Sequence, residues 1–326
     1  MARLSFIFRT DTHVADKSPS SWKADYPAEI WSNLEQIGKM AQEHEVNAVV
    51  DGGDFFHVKA ASRNSHALMV RTAEIHHHYP CDTYCVEGNH DLAYNNLESI
   101  DRQPLGVLYA SQVFSRLREA VFNDGEFQVR VVGFPYSPNR TLEEIKAVQK
   151  QPGDDFLVAV VHALAAENPP PKVEDFFGEP VFKYADLVTS NGPDVFCFGH
   201  WHRDQGITHI GDRYFINQGA VSRGALVHEN TSRVPQVTLL EFEPLELRCK
   251  TLPLQVAPAE DVFDFDRKER IESESHSIDQ FIAKLQEDVA FDPSASIEAN
   301  LRNMDFAKEV RDLALAYLDK ARAEVG

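Results

Sequence analysis

Cysteine is scarce. The four in 326 residues (Cys81, Cys85, Cys197 and Cys249) are too few for the dense cross-linking of a small secreted scaffold. Cys85 and Cys197 lie inside apolar strand-like runs, and Cys81-x-x-x-Cys85 reads as a reduced pair at a strand, not as a metal clip. No stretch approaches the ~20 apolar residues of a membrane span. The first residues run straight into a strand, without the basic-then-apolar pattern of a secretory leader. A cytoplasmic protein with no membrane partner is the simplest expectation. Basic charge is short as well. The formal net charge is −19, of which the segment from Pro258 onward, with 17 acidic and 9 basic residues, carries −8 and leaves −11 to the rest. Polyanion binding draws most of its affinity from Lys and Arg on phosphates, so this balance argues against strong autonomous nucleic-acid binding.

What is present is ordinary in bulk and unusual in placement. A hydrophobic content of 43% and a charged content of 25% are globular values, and the length allows one large domain plus an appendage. Five short polar segments each close an apolar run of strand character. Asp11-Thr12-His13 follows Leu4–Phe8, and Gly53-Asp54 follows Ala48–Val50. Gly88-Asn89-His90-Asp91 follows Thr83–Val86. His162 ends Phe156–Val161, and Gly199-His200-Trp201-His202 ends Val195–Phe198. Singly, a D-x-H or an H-x-H is common. Together they sit where an open α/β sheet places its ligands, beyond the carboxyl ends of the strands. Oxygen and imidazole donors in this mixture suit Mn, Fe or Zn better than Ca or Mg. Two such ions roughly 3.5–4 Å apart would clamp the attacking and leaving oxygens of a phosphoryl displacement.

The order D-x-H, G-D, G-N-H-D, a lone His and G-H-x-H resembles the calcineurin-like metallophosphoesterases over roughly residues 3–245. The resemblance implies a four-layer αββα sandwich and a centre of two divalent ions, manganese being the expected pair with Fe or Zn as alternatives. It implies that Asp11, His13 and His202 hold one ion, that Asn89, His162 and His200 hold the other, and that Asp54 bridges them. His90 is then no ligand but the transition-state group, and Asp91 is expected to fix its tautomer. The string Gly52-Gly53-Asp54-Phe55-Phe56-His57 is similar to the second motif of SbcD-type DNA-repair nucleases, which implies that His57 contacts the scissile phosphate. Asn217-Gln218-Gly219-Ala220-Val221-Ser222-Arg223 looks like that family's N-x-G-S-x-x-R segment, with Gly-Ala for Gly-Ser. The implied activity is exo- or endonucleolytic hydrolysis of DNA beside an SbcC-type ATPase; pairing with a second copy of the chain is left open. A small-molecule or cyclic-nucleotide phosphodiesterase is the alternative that the acidic charge favours. A scaffold that has lost its chemistry is the third reading, set against an intact ligand set.

Helical spacing marks Glu29–Glu45, Ser62–His78 and Thr141–Gln151, the last capped by Thr141. Beyond the H-x-H motif the pattern turns to strands at Ile207–Ile210, Tyr214–Asn217 and Val237–Phe242. Residues 1–245 are therefore expected to form the phosphoesterase domain. Residues 246–326 are read as a linker, ending in an extended strand near Pro258, and an acidic helical appendage. Val310, Leu313, Tyr317 and Leu318 would give that appendage an apolar stripe for packing, for partner docking or as a reduced capping element. His76-His77-His78 reads as a helix-end run, Trp201 as packing, and Arg223 as either a site residue or a structural ion-pair partner.

Overall fold

In the computed structural model, residues 2–266 are described. The chain opens with four strands that run parallel: β1 (Leu4–Arg9), β2 (Ala48–Asp51), β3 (Asp82–Cys85) and β4 (Ser115–Arg116). Next come β5 (Glu119–Asn123), β6 (Gln128–Phe134) and β7 (Phe156–His162). A short parallel pair follows, β8 (Ala165–Ala166) and β9 (Phe182–Lys183), and then β10 (Val195–Gly199), β11 (Gly206–Ile210) and β12 (Arg213–Asn217). The last two strands are β13 (Gln236–Glu243) and β14 (Glu246–Pro253). One six-stranded sheet has the order β14-β13-β1-β2-β3-β4 and the other β11-β12-β10-β7-β6-β5.

Period-two alternation sends each strand's side chains to two faces. Phe6, Phe8, Ala48 and Val50 of the first sheet meet Val129, Val131, Val158, Val160, Val195 and Cys197 of the second in one buried layer. The opposite faces are covered by helices. Ile7 and Val49 pack with Ile30, Leu34 and Ile37 of α1 (Tyr26–Glu43) and with Leu68 and Ile75 of α2 (His66–His77). On the far side Ala159, Val161, Phe196 and Phe198 pack with Ile145 and Leu187. This is the expected four-layer sandwich. Both helices start where a side chain caps them: Asp25 accepts from Ala28 N and Ser65 from Leu68 N. The helix capped by Thr141 is shorter than its spacing predicts, Leu142–Lys146, because Lys150 N is drawn to Asn191 O.

One expectation is corrected at the carboxyl end. Residues 246–253 are no linker but the edge strand β14, paired with β13 from Gln236↔Pro253 to Glu243↔Glu246 across a two-residue turn at Pro244-Leu245. The compact unit runs to Asp264. The expected acidic helices lie outside the described residues.

The helix-end run also resolves differently. Arg9, fully buried at the end of β1, donates to Asp51 Oδ2 at 2.7 Å and to Tyr79 Oη at 3.1 Å. Its Nη2 lies 2.9 Å from His76 Nε2, while His76 Nδ1 donates to Thr72 O at 2.8 Å. A guanidinium only donates, so His76 is a neutral acceptor, held well below its ordinary value by burial and then by Arg9. Above about pH 6.5 the unfolded and folded chains both carry it neutral. Below that only the unfolded chain takes up the proton, so stability is lost as the pH falls, by at most about 1.4 kcal/mol per unit. The thermal midpoint is expected to drop between pH 7 and pH 5. His76→Gln, whose amide oxygen still accepts from Arg9, should flatten that decline; identical slopes would refute the assignment.

Candidate metal centre

The carboxyl ends of β1, β2, β3, β7 and β10 converge, and their loops bend sharply. Asp11, His13, Asp54 and His200 all adopt positive φ, at 52°, 51°, 53° and 87°. Such backbone is costly for residues with a Cβ and gathers at functional sites. Two glycines let the loops close. A Cβ on Gly53 (φ 96°) would lie 2.7 Å from Gly88 N and 2.8 Å from His162 Nδ1, and one on Gly88 would lie 2.1 Å from Asp54 Oδ1.

The side chains form two adjoining groups that share Asp54. In one, the ligand atoms of Asp11, His13, Asp54 and His202 lie within 4.8 Å of one another; in the other, so do those of Asp54, His162 and His200. Asn89 Oδ1 joins the second group, 3.3 Å from His162 Nε2. Asp54 Oδ1 accepts from His90 N at 2.7 Å. Its other oxygen, Oδ2, is buried without a hydrogen bond, 3.8 Å from His13 Nε2 and 3.6 Å from His162 Nε2. A bare carboxylate oxygen between two imidazoles is costly unless it meets a cation. His13 Nε2 and His202 Nε2 stand 2.9 Å apart, a separation that needs a proton or a cation to be favourable. Imidazole, carboxylate and amide donors around an orphaned buried oxygen fit a pair of divalent ions.

Charge in the centre agrees. Burial opposes ionisation of Asp54, but His162 and then His13 hold it well below the usual carboxylate range. Burial likewise opposes protonation of His162, yet Asp54 prevails and pushes it up to about 9. The field that draws a proton there would draw a metal ion. His162 Nδ1 donates to Gly52 O at 2.7 Å, which leaves Nε2 as the nitrogen facing Asp54 and Asn89.

His90 and His57 stand beside the first group. Their rings stack with centroids 5.5 Å apart, and His13 lies edge-on to His90 at 4.8 Å. His90 Nδ1 donates to the backbone oxygen of His57 at 2.7 Å. The tautomer of His90 is therefore set by His57, not by Asp91 as expected. Asp91 is buried and accepts instead from Phe55 N, Phe56 N and Gly88 N at 3.3, 3.0 and 3.0 Å. The reason is geometric: Asn89–Asp91 is a short 3₁₀ turn, and Asp91 reaches back to cap it. It ties the second motif to the third. His57 is lowered by burial first and then by His90 and His202, so it is neutral near pH 7.

A family model described as calcineurin-like phosphoesterase matches residues 4–204. The chain belongs to this family. Its members depend on two metal ions, and the two ligand groups sharing Asp54 match that requirement. A search of the curated proteins returns no match. Among solved structures, the chain is similar to an NAD nucleotidase of Haemophilus influenzae at 11% identity and a TM-score of 0.48, covering 78% of this chain and 56% of that one. It is also similar to the sulfate thiohydrolase SoxB of Thermus thermophilus, solved with glycerol, at 12% identity and 0.43, covering 79% and 58%. The chain thus spans a little over half the length of either.

Three residues outside the expected set complete the picture. Arg223 is engaged elsewhere: buried, it pairs with Glu29 through Nη2 at 2.6 Å and Nε at 3.1 Å and donates to Ala257 O. It is the structural partner of the two alternatives. Trp201 packs on Phe177 with ring centroids 5.6 Å apart. Glu179 is the third. Its Oε2 lies 3.0 Å from His200 Nε2 and its Oε1 accepts from Tyr136 Oη at 2.6 Å. Gly178-Glu179-Pro180 reads as a plain turn, with no ligand spacing to mark it. No helix among the described residues is long and apolar enough to cross a membrane.

Proposed function

We propose that this metal-dependent hydrolase is a phosphodiesterase acting on DNA, of the SbcD type, with manganese as its ions. The observation that supports a two-ion phosphoesterase centre is Asp54 Oδ2, buried without a hydrogen bond and facing both His13 and His162. Asp11, His13 and His202 would hold one ion and Asn89, His162 and His200 the other, with Asp54 common to both. Bound there, the pair would supply Lewis-acid charge at a phosphate oxygen and lower the pKa of a water toward ~7. The chain's own groups do the rest. With Nδ1–H on the His57 carbonyl, His90 has Nε2 as its free nitrogen. Nε2 is thus the nitrogen placed to pass a proton to the departing oxygen. His57, neutral and stacked on His90, can donate to a phosphate oxygen.

The DNA assignment rests on His57 and its G-G-D-F-F-H setting. The acidic charge of −19 favours a second reading, a small phosphodiester substrate, unless a partner such as an SbcC-type ATPase supplies the DNA contacts. His57→Ser separates them. Nucleotide release from linear duplex ends should fall roughly tenfold or more, about the value of one hydrogen bond to a charged group. Hydrolysis of bis(p-nitrophenyl) phosphate should change little. Equal losses on both substrates would make His57 a general catalytic group and favour the small-substrate reading.

A further inference from the structure

Sequence spacing gives Glu179 no role, yet it sits against His200. An ionised carboxylate only accepts hydrogen bonds. His200 must therefore carry its proton on Nε2, 3.0 Å from Glu179 Oε2, and keep its lone pair on Nδ1. The other carboxylate oxygen is engaged by Tyr136 Oη at 2.6 Å. Tyr136 is itself held, since its backbone N–H donates at 2.7 Å to Glu87 O, two residues before Asn89. Its ring lies 5.4 Å from that of His200 and 6.1 Å from that of His162. The turn that presents Glu179 is pinned by Glu174, whose Oε1 accepts from Val181 N and whose carbonyl accepts from Gly178 N. A continuous path thus joins the third motif, through Tyr136 and Glu179, to His200.

We propose that Glu179 is a positioning residue for one half of the metal centre. It holds His200 as the Nε2–H tautomer with Nδ1 free for the ion shared with Asp54, and it couples residues 173–181 to that ligand. This rests on the two-ion reading above. Carboxylates in this relation to a ligating histidine raise its basicity and fix its ring, and their loss costs about 10–100-fold in metal affinity.

The test uses the full chain, stripped of metal and titrated with Mn²⁺ by calorimetry, with the EPR signal of the spin-coupled pair as a second readout. Glu179→Ala should weaken one of two sites 10–100-fold and delay the coupled signal to higher Mn²⁺, while the other site and the thermal midpoint of the metal-free chain stay as in the wild type. Glu179→Gln keeps an oxygen that accepts from Nε2–H, so it should recover much of the loss. Tyr136→Phe should fall between the wild type and Glu179→Ala. Two unchanged sites in Glu179→Ala would overturn the inference, as would equal weakening of both sites or a Gln variant no better than Ala. A wild type that binds one ion only would overturn the two-ion reading and this inference with it.

Discussion

Asp54→Ala is expected to abolish turnover and release bound metal while the chain remains folded. The buried Oδ2 of Asp54, 3.8 Å from His13 Nε2 and 3.6 Å from His162 Nε2, is the one anionic atom common to both ligand groups. Without it, two divalent cations a few ångströms apart would repel one another with no charge between them. Metal charge on the transferring phosphate contributes several kcal/mol, so the expected loss is roughly 10³-fold or more in rate. Asp54 Oδ1 also holds the backbone of His90 at 2.7 Å, so the substitution frees the third motif as well as the ions. The fold itself rests on other contacts: the three amide bonds to Asp91, the Arg9–Asp51 pair and the apolar layer between the sheets. Metal analysis after gel filtration, with far-ultraviolet circular dichroism, checks both halves. Normal turnover with two ions retained would remove the dinuclear reading.

The sheet and the ligand cluster were legible in the chain for one physical reason. Buried strands write continuous apolar runs, and polar residues that end such runs are conspicuous because burial penalises them. Leu4–Phe8 followed by Asp11, and Phe156–Val161 followed by His162, follow that rule and are found together. Other features left no such mark. In β14, Leu247, Cys249 and Thr251 alternate with Glu246, Arg248 and Lys250 on a strand exposed along much of its length, and Pro253 as its last residue, with Pro258 beyond, hides the pattern. The helix Pro104–Ala110 is two turns long and carries too few residues to show a period. The role of Asp91 is hidden in the sequence because adjacency to His90 says nothing about direction within a 3₁₀ turn; its partners are amides up to 36 residues away. His76 and Glu179 act through single long-range contacts, to Arg9 and His200, which no local spacing encodes.

His90→Asn should behave in the opposite way to Asp54→Ala, retaining two ions and losing about 10²–10⁴-fold in turnover, the range for a general acid. The geometry gives that acid a direction. Nδ1 is committed to the His57 carbonyl at 2.7 Å, so Nε2 alone is free to reach substrate, and the neutral ring of His57 stacks against it. A proton delivered to the departing oxygen matters most when that oxygen is a poor leaving group. The loss in His90→Asn should therefore be largest on a deoxyribose phosphodiester and much smaller on a nitrophenyl ester, whose phenolate departs without assistance. His90 also lies with His13 and His57 in a third group of donors within 4.8 Å, so coordination is the competing role. Loss of an ion in His90→Asn would establish that competing role. Equal losses on good and poor leaving groups would instead assign His90 to charge stabilisation on the phosphate, in which case the proton must come from another group at the site.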